Sequence, residues 1–220
     1  MEKEIEDDAA REHGLVLYGL DINNATAEDM VTRFNGVGRK LAEKIVANRV
    51  ELGLFRDVYD IARVPGVKGK VFQRITGMAW PAQLFRHREQ VATLIGVTSG
   101  EIPDVRGVAQ RFKELDGFNG CIIIDQDGLV LAGTWEHPSS DALAAFAPQM
   151  FKKLSRYVKQ LKMGNIKTLT FFADDSPVTL VTSGAILFVA LHKTTRFSKR
   201  QVELVQALAT ELGRSISIRR

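Results

Sequence analysis

The sequence predicts a multidomain protein, with an all-α unit followed by an α/β unit, and three observations lead to this prediction. A glycine turn that opens into an apolar-periodic helix occurs twice before residue 80, with a displacement of thirty residues. After residue 103, short apolar runs bounded by turn residues alternate with long amphipathic helices, which is typical of strands and helices around one sheet. Between the two patterns, residues 96–103 contain two glycines, a serine and a proline, a composition that favours a linker.

Composition and charge limit the classes of function. Of the 220 residues, 45% are hydrophobic, enough for a substantial core, while a net charge of +4 does not by itself indicate nucleic-acid binding. The single cysteine, Cys121, lies in an apolar run, where a buried thiol in a reducing compartment is expected. No apolar stretch reaches the roughly 18 residues of a membrane span. The first residues are acidic and unlike a secretory signal, so we expect a cytoplasmic protein without a membrane partner.

Residues 1–19 are expected to form an acidic tail, and residues 20–80 a helical domain. Thr26 and Asp29 have the spacing of a capping box, which predicts a short helix that runs into the first glycine turn. The next helix carries apolar side chains three and four residues apart and ends at Gly53. A third short helix over 58–64 then leads into the second turn, and a fourth follows that turn.

The two turns are candidate phosphate-binding sites. A glycine turn lets another backbone approach closely, and the first amides of the helix that follows have no intrahelical acceptor. One such turn is common as plain structural punctuation. Here, however, residues 30–80 contain ten lysine and arginine side chains but four acidic ones, so the positive charge is concentrated around both turns. In the repeat, Lys40 aligns with Lys70 and Lys44 aligns with Arg74.

The first half resembles a tandem helix-hairpin-helix domain of the ComEA competence type over about sixty residues. The resemblance lies in residues 21–29, Gly36-Val37-Gly38, Phe55-Arg56-Asp57-Val58 and Gly66-Val67. It implies that each hairpin holds a double-stranded DNA phosphate with backbone amides, without reading sequence, and that the valine between the glycines plugs the core. The residues expected at the DNA are Gly36, Val37, Gly38, Arg39, Lys40, Lys44, Gly66, Val67, Lys68, Gly69 and Lys70.

The second hairpin departs from this family pattern. Lys68 stands where the family usually has a second glycine, and Gly69 follows it. The first hairpin is therefore expected to be the principal DNA contact. Some relatives of this fold dock proteins instead of DNA, so protein docking stays open as an alternative use.

Residues 81–102 are expected to form a helical or flexible linker, and residues 103–220 a second domain. Its predicted order is helix, two strands, helix, three strands, helix. The predicted helices cover 104–115, the long stretch after Ser140, and the stretch after a cap formed by Ser198 and Gln201. The predicted strands cover residues 121–124, 129–132, 167–172, 178–182 and 185–191.

This order, the Asp127-Gly128 turn and the apolar run 185–189 resemble the roadblock, or dynein light chain, family over about 115 residues. The resemblance implies a five-stranded, mainly antiparallel sheet between helices, in the order αββαβββα, and a homodimer formed through the long helix and an edge strand. Bacterial members of the family often partner small Ras-like GTPases. The residues expected at the dimer interface are Leu143, Phe146, Met150, Leu154 and Tyr157.

Together these features predict a non-enzymatic, sequence-independent DNA-backbone-binding protein that dimerises through its second domain. The alternative is a scaffold or regulator of a small Ras-like GTPase, with the first domain docking on protein. Helix-hairpin-helix motifs also occur in glycosylases and nucleases, but an enzyme is less well supported, because neither a metal-ligand cluster nor the catalytic aspartate and lysine context of those enzymes stands out. We therefore expect neither a catalytic residue nor a metal or other cofactor.

Overall fold

The computed structural model describes residues 14–97, 103–135, 140–173 and 176–219. The chain divides between Pro81 and Ala82 into two compact units. Most of the expected acidic tail, before Gly14, and residues 98–102 of the expected linker lie outside the described residues. Within the described ranges, no helix combines the length and the apolar character needed to cross a membrane.

The first unit is mainly helical, as predicted. Its core combines aromatic and aliphatic side chains from all of its helices, and Met30, Phe34 and Phe72 are among the residues that are almost completely buried. The elements are the strands β1 (Val16–Leu17) and β2 (Leu20–Asp21), the helices α1 (Ala27–Arg33) and α2 (Arg39–Leu52), a 3-10 helix (Val58–Arg63) and the helix α3 (Gly69–Thr76).

A short β-hairpin begins in the segment that the sequence assigns to the tail and ends at the start of the predicted helical domain. Strands β1 and β2 pair antiparallel around Tyr18 and Gly19, whose φ angles of 49° and 79° give the two-residue turn that the twist of a hairpin favours. Leu17 is 7% exposed and belongs to the core of the unit. Two-residue strands have no measurable apolar period, so the sequence pattern does not indicate them.

The predicted start of α1 is confirmed, whereas the third helix has a different form. The Asp29 amide donates to Thr26 Oγ1 at 3.2 Å, and the Thr26 amide donates to Asp29 Oδ2 at 2.9 Å, which completes the capping box. The third helix is a single 3-10 segment, not an α-helix. Asp57 starts it by accepting from the amides of Tyr59 and Asp60 at 2.9 and 3.0 Å.

The second unit is an α/β domain with a five-stranded antiparallel sheet, which confirms the predicted fold class. The strand order is β4-β3-β7-β6-β5, so β4 and β5 are the two edges. The strands are β3 (Phe118–Asp125), β4 (Val130–Gly133), β5 (Thr168–Ala173), β6 (Ser176–Ser183) and β7 (Ile186–His192). The helices are α4 (Ala82–Leu94), α5 (Val105–Glu114), α6 (Ser140–Gln160) and α7 (Lys199–Arg219).

Helices cover both faces of this sheet, and the alternation along β3 shows how. Ile123 belongs to a core cluster that includes Phe112 of α5 and Leu208 of α7. Ile122 and Ile124, the two neighbours of Ile123 on the strand, turn to the opposite face, where they join a cluster with Phe151 of α6. A central strand with apolar residues toward both faces reads as a continuous apolar run, as the sequence shows.

Helix α4 lies inside the segment that the sequence assigns to a linker. It clusters with the second unit, where Leu84 and Val91 are buried. His87 Nδ1 of α4 lies 2.6 Å from Glu211 Oε2 of α7. Leu84 and Val91 are seven residues apart, so they lie on one face of α4, and this face packs against a neighbouring helix.

Candidate nucleic-acid interface

The two glycine turns share a glycine of positive φ and one backbone hydrogen bond. Gly36 has a φ of 81° and Gly66 a φ of 103°, values that favour glycine in both turns. The Val37 amide donates to the Phe34 carbonyl at 3.1 Å, and thirty residues later the Val67 amide donates to the Val64 carbonyl at 3.0 Å. The sequence repeat is therefore also a repeat of hydrogen bonds.

The residue after each valine has extended backbone and precedes a helix. Gly38 precedes α2 with a φ of −82°, and Lys68 precedes α3 with a φ of −143°, both ordinary extended backbone. The Leu41 amide donates to the Gly38 carbonyl at 2.9 Å, and the Val71 amide donates to the Lys68 carbonyl at 3.0 Å. Any residue adopts this conformation, so Lys68 itself needs no special backbone. The second turn differs at the next residue: Gly69 has a positive φ of 48°, whereas Arg39, its counterpart in the repeat, does not have a positive φ.

The first amides of both helices have no side-chain cap. No side chain of the described residues accepts a hydrogen bond from the start of α2 or α3. The amides of Arg39 and Lys40, and those of Gly69 and Lys70, precede the first donors of the helical ladder. Such amides and the partial positive charge of a helix start attract anions.

The valines of the two turns point away from this surface. Val37 is 3% exposed, Val67 is fully buried, and both belong to the core of the first unit. Of the residues expected at DNA, these two can therefore offer only backbone atoms. Gly36, Gly38, Arg39, Lys40 and Lys44 are exposed, as are Gly66, Lys68 and Lys70, while Gly69 is half-buried.

Five of the ten cations in residues 30–80 are engaged within the fold. Arg33 donates to the Tyr18 carbonyl at 2.7 Å, and Arg63 donates to Asn48 Oδ1 at 2.8 Å. The other three contacts join Arg39 to Glu28 and Glu43, Arg49 to the Ile22 carbonyl, and Arg56 to Asp60. These arginines add positive charge to the unit, but their guanidinium groups hold the fold together.

The remaining five cations form one group, which we call the hairpin cations. Each is exposed and has no ion-pair or hydrogen-bond partner in the part of the chain that the structure describes. All five lie on α2, on α3 or directly before α3, so they flank the uncapped helix starts. The hairpin cations are Lys40, Lys44, Lys68, Lys70 and Arg74.

Arg74 is the member that the sequence-based set omits. Its guanidinium lies so close to Gly36 that a Cβ atom placed on the glycine would overlap it. A Cβ atom on Gly66 would lie 3.5 Å from Leu41 Cδ1 of α2. Each turn therefore faces the helix of the other hairpin. The alignment of Lys44 with Arg74 in the repeat is the signal that could have included this residue.

The expected dimer-interface residues divide into two groups. Leu143 and Met150 pack against the sheet of their own unit, and Leu154 is half-buried. Phe146 is 66% exposed and Tyr157 is 49% exposed, on a flank of α6. Only these two aromatic side chains of the set present large apolar surface to solvent.

The described residues include a single, buried cysteine and no cluster of side chains that could hold a metal ion. Cys121 is fully buried, and this burial raises the pKa of its thiol to about 12. The described residues contain no group of three histidine, cysteine, aspartate or glutamate side chains that could hold a metal ion. The chemistry that the described surface does offer is charge and exposed backbone amides at the two hairpins.

The paired hairpins and the separate sheet domain form two structural modules, and the family comparisons agree with both. Residues 18–79 match the model of the helix-hairpin-helix motif, and residues 105–192 match the model of the roadblock/LC7 domain. The chain therefore carries a helix-hairpin-helix segment followed by a roadblock/LC7 domain, as the sequence predicts. The first segment is also similar to ComE operon protein 1 of Bacillus subtilis strain 168, at 41% identity over 56 residues. That match covers 26% of this chain and 27% of the relative, so the two share about a quarter of their lengths.

Solved structures similar to this chain include bacterial roadblock-type proteins. MglB of Myxococcus xanthus has 12% identity and a TM-score of 0.44, over 49% of this chain and 90% of MglB. The gliding protein MglB of Thermus thermophilus has 15% identity and a TM-score of 0.45, over 60% of this chain and 92% of its own. A roadblock/LC7 domain of Streptomyces avermitilis has 16% identity and a TM-score of 0.44, over 53% and 98%.

Proposed function

We propose that this chain is a non-enzymatic, cytoplasmic protein that binds double-stranded DNA through its backbone and dimerises through its roadblock/LC7 domain. The observation that carries the proposal is the pair of hairpins: two turns that share a glycine of positive φ and the hydrogen bond after it, two uncapped helix starts and five hairpin cations. Phosphates are the anions that such amides and cations bind together. The match of residues 18–79 to the helix-hairpin-helix motif supports the same conclusion.

The geometry favours binding without sequence preference. Backbone amides at a helix start contact phosphates, which carry no direct sequence information. The hairpin cations are four lysines and one arginine, and lysine acts as a flexible point charge that suits phosphate. We therefore assign both hairpins to the DNA surface and add Arg74 to the residues expected there.

The second unit supplies the dimer in this proposal. The exposed Phe146 and Tyr157 of α6, with Phe172 at 59% exposure on the edge strand β5, offer apolar surface and an unpaired strand edge. A two-fold contact through an edge strand is self-complementary and removes that edge from solvent. Two linked DNA-binding units can gain roughly 10² to 10⁴ in avidity when both reach the duplex.

Fluorescence anisotropy on a labelled duplex tests the proposal. The full chain should bind at low salt, and a variant with Gly36→Val and Gly66→Val should lose binding, since both positions have a positive φ that valine disfavours. Circular dichroism and mass measurement on the same variant should show a folded dimer, because its second unit is unchanged. Undiminished DNA binding by this variant would contradict the assignment of the hairpins.

The alternative function, scaffold or regulator of a small Ras-like GTPase, is carried by the roadblock/LC7 match of residues 105–192 alone. It predicts that a GTPase co-purifies with the full chain after nuclease treatment. Equal recovery of that GTPase with the hairpin variant, together with no DNA binding by the wild type, would favour this alternative.

A further inference from the structure

A second basic surface lies on α6, outside both hairpins. Residues 142–173 contain six lysine or arginine side chains and no aspartate or glutamate. The net positive charge of this stretch therefore equals that of residues 30–80. The stretch belongs to the second unit, whereas the hairpins belong to the first.

The geometry of α6 gathers part of this charge into a line. Lys152, Arg156 and Lys159, here called the α6 stripe, follow a four- and three-residue spacing. At 3.6 residues per turn they fall within about 60° of one another and cover about 10 Å of helix. All three are exposed, whereas Ala147 and Phe151 on the opposite side are buried against the sheet.

The cations of the α6 stripe are unpaired, whereas some other exposed cations of the same unit have an acidic partner. Arg111 pairs with Glu114 at 2.9 Å, and Lys199 pairs with Glu203 at 3.4 Å. In the described part of the chain, no acidic side chain or carbonyl engages the three cations of the stripe. Three like charges at helical spacing repel one another, so the stripe favours a polyanion that neutralises them.

We propose that the α6 stripe is a second contact for the phosphate backbone of duplex DNA. This inference rests on the proposed function, because it names the same partner and adds a separate surface. The face of α6 that carries Ala147 and Phe151 is already buried against the sheet, so this face is not available for insertion into a lipid layer as in surface-bound amphipathic helices. The outward stripe is polar and matches a hydrophilic polyanion.

The stripe is also compatible with the proposed dimer. Phe146 and Tyr157 lie about 120° around the helix from the stripe, so pairing through these aromatic residues leaves it exposed. A dimer would then present two copies of the stripe in addition to four hairpins. This arrangement raises the number of phosphates that one complex can neutralise.

The test compares charge-matched variants of the full chain. One replaces the stripe, with Lys152→Gln, Arg156→Gln and Lys159→Gln. The control removes the same charge from three other exposed cations of the unit, with Lys193→Gln, Arg196→Gln and Arg200→Gln. DNA affinity is measured from about 50 to 200 mM salt, and the stripe variant should reduce the magnitude of the slope of log K against log salt by about 2 to 3 for each stripe that contacts the duplex. The control should lower it by less than about 1.

Several outcomes would overturn the inference. The inference fails if the stripe variant keeps the wild-type slope. It also fails if the control variant changes the slope as much as the stripe variant does, because the position of the cations on α6 would then not matter. Vesicles of phosphatidylserine and phosphatidylcholine provide the membrane comparison, since Leu161 and Met163 beyond α6 are 68% and 73% exposed. If the stripe variant loses vesicle binding but keeps DNA binding, the surface is a membrane contact.

The hairpin variant separates this inference from the proposed function. If the Gly36→Val, Gly66→Val chain loses binding while the stripe variant retains it, only the further inference fails. If the stripe variant loses binding while the hairpin variant retains it, the stripe stands and the hairpin assignment fails.

Discussion

The Arg74 guanidinium of α3 lies against Gly36 of the first hairpin turn, close enough that any side chain on the glycine would displace it. The contact joins two copies of one structural repeat and places a cation beside the first uncapped helix start. Gly36 also needs its positive φ of 81°, so conformation and contact both call for glycine here.

Gly36→Ala should reduce both stability and DNA binding. A left-handed φ costs a residue with a Cβ atom about 1–2 kcal/mol, and the free energy of unfolding of the first unit should fall by that amount. DNA binding should weaken by about tenfold, or about 1.4 kcal/mol, because the methyl group displaces Arg74 from the turn. Urea unfolding and fluorescence anisotropy measure the two effects.

Gly38→Ala is the matched control for that substitution. Gly38 has a φ of −82°, and nothing lies within 4 Å of a Cβ atom placed there. The free energy of unfolding should change little, because alanine restricts the unfolded chain but is less favourable than glycine at the N-cap of α2. Weaker DNA binding with full stability would show that a phosphate approaches this open position; loss of stability would contradict the described turn.

Lys68→Gly should weaken DNA binding even though it restores the glycine that the family usually has. The extended backbone of Lys68 does not need glycine, so the substitution removes a hairpin cation without improving the turn. The slope of log K against log salt is negative, and its magnitude should decrease by about 0.9 for each lost phosphate contact. Lys68→Arg keeps the charge and should keep the slope. Tighter binding by the glycine variant would show that the second turn is misassigned.

His192 should make the second unit less stable in mild acid. Its ring is 1% exposed, stacks on Phe197 with centroids 4.0 Å apart, and has Nε2 at 2.8 Å from Thr179 Oγ1. Burial lowers the pKa of His192 below its ordinary value, and Nδ1 has no partner in the described structure. The unfolded chain therefore takes up the proton first. Stability is complete above a pH of about 6.5 and falls as the pH drops below it.

Urea midpoints at about pH 7.5 and 5.5 measure this dependence on either side of the ordinary histidine pKa. His192→Gln removes the titrating ring and keeps a polar group near Thr179. The wild type should lose more stability between the two pH values than the variant. Equal losses would assign the acid sensitivity to other groups.

Phe146→Lys with Tyr157→Lys should convert the dimer to a monomer. Both side chains are largely exposed, so the charges do not enter the core of the unit, but they oppose a symmetric apolar contact. Light scattering should give half the wild-type mass with unchanged circular dichroism. Phe151→Ala provides the contrast, because a buried phenylalanine in the core should cost about 3–5 kcal/mol of folding stability. An unchanged mass for the double variant would place the interface elsewhere.

Local patterns predicted most of the fold correctly. The capping residues Thr26 and Asp29, the stop at Gly53 and the apolar runs of the sheet act through neighbours in the chain, so the sequence displays them. The 3-10 form of residues 58–63 was not predicted, because a single short turn has the same apolar spacing in both kinds of helix.

The charges of the candidate site required the structure. Arg49 contacts the Ile22 carbonyl across 27 positions, and only the folded chain shows that such arginines are engaged. The proximity of Arg74 to Gly36 likewise depends on how two hairpins pack. The sequence indicated where positive charge accumulates, and tertiary contacts determine which cations are free to meet a ligand.

The most direct test of the central claim is a salt titration of the full chain on two duplexes of unrelated sequence. Backbone binding predicts equal affinity for both, with log K falling linearly against log salt by about 0.9 for each phosphate neutralised. A strong preference for one duplex, or no binding to either at low salt, would contradict DNA-backbone binding by the paired hairpins.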